Sequence, residues 1–327
     1  MLGSYFSLPY QLGEHIAFVL TGGLVLILLH VLLIRKRKRI LQASLREFRE
    51  SEAESHRVVQ QRNIFRNRAR NIEDSITYAQ RIQLAMFTKP REMKQLFPES
   101  FIYQKPKDIV SGDFFWAKRI KGKVLFSVAD CTGHGVPGAF MSLIGLEFFR
   151  QIVVEKEILR PSDILQEMNR YFDIVFANLD ELPLKDGIDL GFCAYDYKTR
   201  ILEYAGAFCP LYVIRNNEVI EIKGDRIIVG PDYGIQRGPF TNRSLQVEDK
   251  DVIYLFSDGY ADQFGGPEGK KFKYRRFRHL LMSIHHLPME EQHRMLEENI
   301  SDWMGEKHDQ IDDQMVIGIR PASFSSY

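Results

Sequence analysis

The hydropathy pattern begins with one unbroken apolar segment near the amino terminus. Residues 16–34 are 19 consecutive residues without a formal charge, and most of them are Leu, Val or Ile. As a helix they would span roughly 28 Å, about the thickness of the hydrocarbon core of a bilayer. We therefore predict a transmembrane helix. A buried core helix and a cleaved signal peptide are the alternatives, but the segment has no polar face and no small-residue cleavage site follows it.

The charges that follow this segment predict its orientation. Five consecutive basic residues, 35–39, come directly after it, and segments rich in Lys and Arg stay in the cytoplasm. We expect a single-pass membrane protein, with a short external amino terminus (1–15) and the rest of the chain in the cytoplasm. Residues 35–72 hold 12 basic and 4 acidic residues, although the net charge of the whole chain is only +1. Such a segment suits an anionic lipid surface.

The stretch 35–90 predicts a long helical stalk. It lacks glycine, has no proline before Pro90, and is dense in Arg, Glu, Gln and Asn. Near its end, apolar positions alternate four and three residues apart, which is typical of a coiled-coil seam. A dimeric coiled coil and a solvated helical spacer both fit, because the seam fails upstream at Ser44, Ser51, Ser55 and Arg62. The seam consists of Phe65, Ala69, Ile72, Ile76, Ala79, Gln83 and Met86.

From about Glu99 onward, short β-rich runs alternate with turn residues. Lys121-Gly122 and Asn216-Asn217 suit hairpin turns, so we expect antiparallel sheets. Helices are predicted near Val136, over 162–178, over 274–285 and over 289–304. This mixture indicates an α+β fold rather than a regular alternation of strands and helices. The predicted strands are 101–104, 114–120, 124–129, 190–196, 201–205, 211–215, 219–222, 252–256 and 315–319.

Composition narrows the class of protein. With 327 residues, 45% of them hydrophobic and 27% charged, the chain is too apolar for a disordered protein and too mixed for a polytopic membrane protein. Cys131, Cys193 and Cys209 are widely spaced and odd in number, which argues against a disulfide framework and a thiolate zinc site. We expect at least one globular domain in a reducing compartment.

The candidate chemistry lies where the apolar strands begin or end. Asp130 and Asp258 each follow a predicted strand, whereas Asp113 and the pair Asp312-Asp313 each precede one. One such aspartate alone is usually a turn or cap residue. If the strand ends converge, the like charges need a cation, and oxygen ligands without clustered His or Cys suit Mg²⁺ or Mn²⁺.

A glycine-rich loop follows Asp130. Gly133, Gly135 and Gly138 let the backbone approach a ligand closely, and Pro137 opens a helix whose amino terminus favours an anion. The loop is not a P-loop, because no Gly-Lys-Ser/Thr follows it. A metal site beside such a loop indicates phosphate chemistry.

Five motifs stand in the second part of the chain: VSGDFFW (110–116), SVADCTGHGVPGAFMS (127–142), YAGAFCPLYV (204–213), FSDGYADQFGG (256–266) and DDQMVIG (312–318). In this order they resemble the SpoIIE-type branch of the metal-dependent type 2C (PPM) protein serine/threonine phosphatases. The resemblance implies two stacked antiparallel sheets flanked by helices, an α/β/β/α sandwich, with a site for two Mn²⁺ or Mg²⁺ ions at one edge. The domain would occupy 91–321, with a tail over 322–327. The resemblance also implies that the membrane is the bacterial inner membrane.

The resemblance also implies a ligand set. Asp130 would bridge the two metals and the backbone carbonyl of Cys131 would supply another oxygen. Asp258 and Asp312 would complete the first site, and Asp113 would bind directly or through water. Asp313 stands where many relatives carry Asn, so it is a weaker candidate for a metal ligand than Asp312.

The position of the family's proton donor is occupied differently in this chain. Eukaryotic members place a proposed general-acid histidine two residues after the bridging aspartate, where this chain has Thr132. His134 is a candidate proton donor, although shaping the loop is its simpler role. Asp186, Asp189 and Asp262 are expected in solvated turns or caps, and Trp116 and the Phe140 stripe in the core.

These features favour hydrolysis of phosphoserine or phosphothreonine on a protein by metal-activated water. A non-catalytic membrane-tethered interaction module is the alternative. A nucleotide cyclase fits less well. The hairpin of diguanylate cyclases, Gly-Gly-Asp/Glu-Glu-Phe, has two consecutive acidic residues, but Phe114 stands at the second of these positions. A cyclase would also leave Asp258 and Asp312 unexplained. The resemblance suggests a phosphorylated STAS-domain anti-sigma-factor antagonist, or a similar partner-switching protein, as substrate. We expect a homodimer through the stalk and no nucleic-acid partner.

Overall fold

The computed structural model describes residues 8–176, 187–231 and 238–321. The chain divides into two compact units, Met1–Glu73 and Asp74–Tyr327. The division falls inside the predicted stalk, so the last residues of that helix fold with the second unit.

The described part of the first unit is a single helix. It belongs to α1 (Leu8–Met86), whose last residues lie in the second unit. Large apolar side chains of 16–34 are exposed around the helix, from Val31 at 39% to Phe18 at 80%. In the described residues two helices are long and apolar enough to cross a membrane, this one and Gly135–Glu155. Half of the second is buried inside the protein, so the amino-terminal helix is the better candidate span.

The second unit contains two five-stranded antiparallel sheets with helices outside each of them. Its strands are β1 Ser100–Lys105, β2 Phe114–Ile120, β3 Lys123–Cys131, β4 Ile188–Asp196, β5 Ile201–Ala207, β6 Leu211–Arg215, β7 Glu218–Ile222, β8 Arg243–Gln246, β9 Val252–Phe256, β10 Phe264–Gly265, β11 Lys270–Lys271 and β12 Gln314–Ile319. The order in one sheet is β1-β12-β9-β6-β7 and in the other β2-β3-β4-β5-β8. The hairpin β10-β11 forms a separate two-stranded sheet.

The helices of this unit cover the outer faces of the sheets. They are α2 Pro90–Leu96, α3 Gly135–Phe149, α4 Pro161–Phe176, α5 Gly259–Asp262, α6 Lys273–Ile284 and α7 Met289–Met304. A π-helical turn, Arg150–Glu155, follows α3. Helices α3 and α4 pack on the β2-to-β8 sheet, whereas α7 packs on β1.

The alternating direction of side chains along each strand explains why the sheets and helices pack in layers. In β2, Phe114 and Trp116 point to the cluster that α3 and α4 cover, whereas Phe115 and Ala117 enter the cluster between the sheets. In β9, Leu255 lies between the sheets and its neighbours face the α6–α7 side. Successive strand residues point to opposite faces, so a strand buried on both faces must be apolar throughout. The predicted α/β/β/α sandwich is confirmed.

All nine predicted strands are present within a few residues, and so are the four predicted helices, although 177 and 178 lie outside the described residues. The helix α5 and the β10–β11 hairpin were not predicted, and three further features differ from expectation. Pro90 begins α2 because proline suits the first turn of a helix. The short edge strand β8 has too few apolar residues to show in the pattern. Phe140, predicted in the core, is 64% exposed, whereas Trp116 is buried as expected.

Candidate active site

Five aspartates lie at strand ends on one edge of the stacked sheets. Asp130 is the next-to-last residue of β3, and its partner in the antiparallel register is Asp189 of β4. Asp258 directly precedes α5, just beyond the end of β9. Asp113 immediately precedes β2, and Asp312 comes shortly before β12. Rigid elements from both sheets therefore hold these carboxyl groups.

The pKa values of these acids show that the carboxyl groups interact. Burial raises the pKa of Asp130 well above its ordinary value, and the charges of Asp113 and Asp258 raise it further. Burial, and then the charge of Asp258, raises the pKa of Asp189 to about 6. Burial is also the main reason why the pKa of Asp312 is raised. Like charges gathered in this way favour a cation, because it stabilises all the ionised forms at once.

The donor set fits a hard divalent cation. Asp113 is only 2% exposed. Its Oδ2 is a buried oxygen without a hydrogen-bond partner, and so is Oδ1 of Asp189. In the described ranges no three His, Cys, Asp or Glu side chains form a ready-made metal cluster. A cation here would be held by carboxylate oxygens together with main-chain oxygen and water, which are the ligands that Mg²⁺ prefers.

The end of α1 fixes the loop that carries Asp113. The Asp113 N–H donates to Ser111 Oγ at 3.1 Å. Ser111 is in turn bonded twice to Gln83, a buried residue of α1: its N–H donates to Gln83 Oε1 at 3.1 Å, and its carbonyl accepts from Gln83 Nε2 at 2.6 Å. Gln83 was predicted in the coiled-coil seam, but this side chain is occupied within the second unit.

Asp313 holds the same loop from the other side. Its Oδ1 accepts the Lys107 N–H at 2.7 Å and its Oδ2 accepts the Gly112 N–H at 2.6 Å. Asp313 is 3% exposed, and both of its carboxylate oxygens are engaged with backbone amides. This arrangement favours a supporting role for Asp313 rather than a ligand role.

Backbone contact explains two glycines of the site. A Cβ on Gly138 would lie 2.1 Å from the carbonyl oxygen of Gly133, and a Cβ on Gly112 would lie 2.9 Å from the same oxygen. The Cys131 carbonyl oxygen is also near Gly112, at 3.3 Å from that Cβ position. The loop before β2 and the glycine loop therefore touch through their backbones, with no room for side chains.

His134 and Thr132 have different partners. His134 precedes α3 and is half-exposed, and its Nδ1 lies 2.7 Å from Oδ2 of Asp108. The Thr132 hydroxyl donates to the Gly187 carbonyl at 3.1 Å and accepts the Gly187 N–H at 3.0 Å. Thr132 thus ties the loop to the start of β4, whereas His134 stays accessible at the amino terminus of α3.

A cavity of about 240 Å³ opens beside the carboxyl groups. Asp130, Asp189 and Asp258 line one part of it, whereas Phe208 and Tyr274 are large aromatic residues in its wall. Sequence reasoning missed both aromatic residues. Phe208 stands within the motif 204–213, but nothing in that motif marks it as a pocket residue, and Tyr274 stands in none of the five motifs.

The structure brings together most of the predicted site residues and one more. Asp113, Asp130, Asp258 and Asp312 interact with one another. The expectation for Asp189 was wrong, because it lies within β4 and not in a turn. Only the register between β3 and β4 reveals its place beside Asp130. Asp262 is paired with Lys271 at 2.6 Å, and Asp186 lies outside the described residues.

Comparisons with known proteins agree with this fold. Residues 120–321 match the family model "Stage II sporulation protein E (SpoIIE)". The SiaA-PP2C domain of Pseudomonas aeruginosa is 31% identical, covers 77% of this chain and 98% of its own, and superposes with a TM-score of 0.70. No match is found among curated proteins.

Two more distant structures share the fold. The PP2C phosphatase domain of SpoIIE from Bacillus subtilis, with a fragment of its regulatory domain, is 16% identical over 70% of this chain and 63% of its own, with a TM-score of 0.56. The RsbU and RsbW domains of a Mycobacterium tuberculosis protein are 19% identical over 70% of this chain and 62% of that one, with a TM-score of 0.54.

The two stacked sheets with acidic strand ends define a metal-dependent protein phosphatase of the PP2C (PPM) type. Within that class, the chain belongs to the SpoIIE family.

Proposed function

We propose that this protein is a membrane-anchored serine/threonine phosphatase that removes phosphate from a regulatory protein with the help of two Mn²⁺ or Mg²⁺ ions. The observation that carries the proposal is the gathering of Asp113, Asp130, Asp258 and Asp312 at one edge of the stacked sheets, where burial and like charge raise their pKa values. Such a set of groups is poised to release protons when cations bind.

We assign the ligands as follows. Asp130 would contribute to both ion sites, and the Cys131 carbonyl would supply a further oxygen ligand. Asp258 and Asp312 bind from the other sheet, and Asp113 binds directly or through water. When bound, the ions supply Lewis acidity and lower the pKa of a water molecule. Asp313 is assigned to holding the loop, because its oxygens already accept two backbone amides.

The glycine loop and α3 serve the substrate. The amino terminus of α3 favours the negative charge of a phosphoryl group. His134 stands at this terminus, and Asp108 holds its Nδ1 at 2.7 Å. This contact orients the ring. In the doubly protonated imidazolium, Nε2 would be the nitrogen that donates its proton to the departing serine or threonine oxygen, and the ring would be left neutral.

The enzymatic proposal is tested with a phosphoserine peptide and the full chain in detergent. We expect phosphate release with Mn²⁺ or Mg²⁺ and none with excess EDTA. Complete inactivity with either ion, on both the peptide and para-nitrophenyl phosphate, would favour the non-catalytic interaction module.

Residues 16–34 are proposed to span the inner membrane, with residues 1–15 outside and the phosphatase unit in the cytoplasm. Support comes from the exposed apolar surface of this helix and the basic residues 35–39 after it. In spheroplasts, external protease should leave the phosphatase unit intact and should degrade it after the membrane is permeabilised. Digestion in intact spheroplasts would contradict this topology.

The substrate is proposed to be a phosphorylated STAS-domain anti-sigma-factor antagonist or a similar partner-switching protein. This proposal rests on the family alone. It is tested by offering phosphorylated STAS-domain proteins to the enzyme. Turnover no faster than that of an unrelated phosphoserine peptide would contradict it.

A further inference from the structure

Phe208 combines two properties that a structural residue rarely has together. Its side chain is 51% exposed, and its φ is +52°, in the left-handed region that favours glycine. Phe208 is the central residue of a three-residue turn, in which the Cys209 N–H donates to the Ala207 carbonyl at 2.5 Å. With a positive φ, this turn is the rare and strained form. The exposed ring gains little from burial to offset this strain.

The surroundings hold the turn in this conformation. The Phe208 N–H donates to the Asp225 carbonyl at 2.8 Å, and the Asp225 N–H donates to the Gly206 carbonyl at 2.7 Å. The Asp225 carboxylate is fixed in turn by the Thr241 N–H at 2.6 Å and by Arg243 at 3.1 Å. Strain that persists because neighbours over-determine it is a feature of functional sites.

The ring lies at the catalytic pocket. Phe208 lines the same cavity of about 240 Å³ as Asp130, Asp189 and Asp258. Tyr274 lines it too, and follows Lys273, whose φ is +70°. Thus a second left-handed residue that is not glycine adjoins the pocket wall. The cavity is smaller than the roughly 300–1,000 Å³ of sites for drug-sized ligands, so it suits one or two amino-acid side chains.

We propose that Phe208 is a specificity-determining residue, which together with Tyr274 forms an apolar wall of the pocket and selects phosphoproteins with large apolar side chains beside the phosphoserine. The proposal rests on the proposed phosphatase function. Pro210 and Phe256 extend the apolar part of the same cavity. An apolar neighbour of the phosphoserine would lose its contact with water there, whereas a polar neighbour would lose hydrogen bonds to water without replacing them.

The test uses the full chain in detergent with Mn²⁺ and two synthetic phosphopeptides. They are identical except that Leu or Asn stands on both sides of the phosphoserine. We expect the unaltered protein to prefer the Leu peptide by about tenfold in kcat/KM, the discrimination that a modest apolar contact provides. Phe208→Gly should reduce the preference below about twofold, and Phe208→Tyr should retain most of it.

Lys250→Gly is the matched control. Lys250 has a φ of +71° and is exposed, but it does not line this cavity. Either glycine variant relieves a positive φ, so neither should lower the thermal midpoint, and Lys250→Gly should keep the peptide preference. An unchanged preference in Phe208→Gly, or no preference in the unaltered protein, would overturn the inference. Inactivity on both peptides would instead contradict the phosphatase function itself.

Discussion

At the scale of single residues, the site is built from carboxyl groups whose charges oppose one another. Asp189 shows the effect well, because it is half-buried, faces Asp130 across β3 and β4, and has a pKa of about 6. The identity of Asp130 and Asp258 as site residues could be predicted, since each stands after an apolar strand. The place of Asp189 could not, since an acid at the start of a strand is compatible with an ordinary turn.

The raised pKa values predict an unusual pH dependence for the metal-free protein. A carboxyl group with a higher pKa in the folded state binds more protons there than in the unfolded state, so stability falls as the pH rises from about 4 to above 6. Burial raises the pKa of Asp189 to about 6, and burial together with the charge of Asp262 raises the pKa of Asp258 to about 6. With chelator, the thermal midpoint should therefore be lower at about pH 7.5 than at about pH 5.

Two comparisons check the origin of this effect. Asp189→Asn should make the metal-free midpoint less dependent on pH, and Mn²⁺ should raise the midpoint of the unaltered protein most at the higher pH. If the thermal midpoint of the metal-free protein rises steadily from about pH 5 to about pH 7.5, the carboxyl groups of the site do not have the raised pKa values described here.

At the scale of elements, the strands could be predicted because period-2 patterns and turn residues are local signals. The elements that escaped prediction depend on tertiary contact. β8 pairs with β5 through a short, partly polar run, and α2 begins at a proline that also suits the end of a helix. Gln83 looked like a seam position, but its amide is used by Ser111. Ser111 is 28 residues away from Gln83 in the sequence, so no local sequence pattern predicts this contact.

Gln83 gives a prediction at this scale. Gln83→Ala leaves the buried Ser111 N–H and carbonyl without these partners, which costs about 1–3 kcal/mol for an unsatisfied buried group. Since Ser111 also bonds the Asp113 N–H, we expect weaker Mn²⁺ binding and at least about tenfold lower turnover in a chain that still folds. Calorimetry and the phosphopeptide assay measure both effects.

Gln61→Ala, an exposed glutamine of the same helix, is the control and should change neither quantity. If Gln83→Ala loses stability but binds Mn²⁺ as well as the unaltered protein, the contact supports the fold only.

At the scale of the whole molecule, the stacking of the two sheets came from family resemblance, because a strand pattern does not specify which sheets pack together. The described chain also leaves apolar side chains of α1 exposed beyond the apolar segment, including Phe65 at 67% and Ile72 at 61%. The coiled coil therefore stays a prediction. A stalk that pairs could change the loop of Asp113 through the helix that carries Gln83.

The dimer is tested with Phe65→Asp plus Ile72→Asp in the full chain. Both side chains are exposed, so the double variant should fold and should lose pairing through charge repulsion along the seam. We expect the unaltered protein to be a dimer and the double variant to be a monomer with altered turnover. Light scattering measures the oligomeric state, and the phosphopeptide assay measures turnover. If the double variant is a monomer whose turnover and Mn²⁺ affinity are unchanged, the stalk does not regulate the enzyme and acts only as a spacer.

The central claim is that the carboxyl groups around Asp130 form a metal centre for phosphate hydrolysis. Calorimetric titration of Mn²⁺ into the full chain, together with turnover of a phosphoserine peptide, tests it most directly. We predict two bound ions for the unaltered protein, and for Asp130→Asn at least about a 100-fold loss of both Mn²⁺ affinity and turnover. Asp302→Asn, at an exposed position of α7, should match the unaltered protein. Undiminished turnover in Asp130→Asn, or in excess EDTA, would contradict the claim.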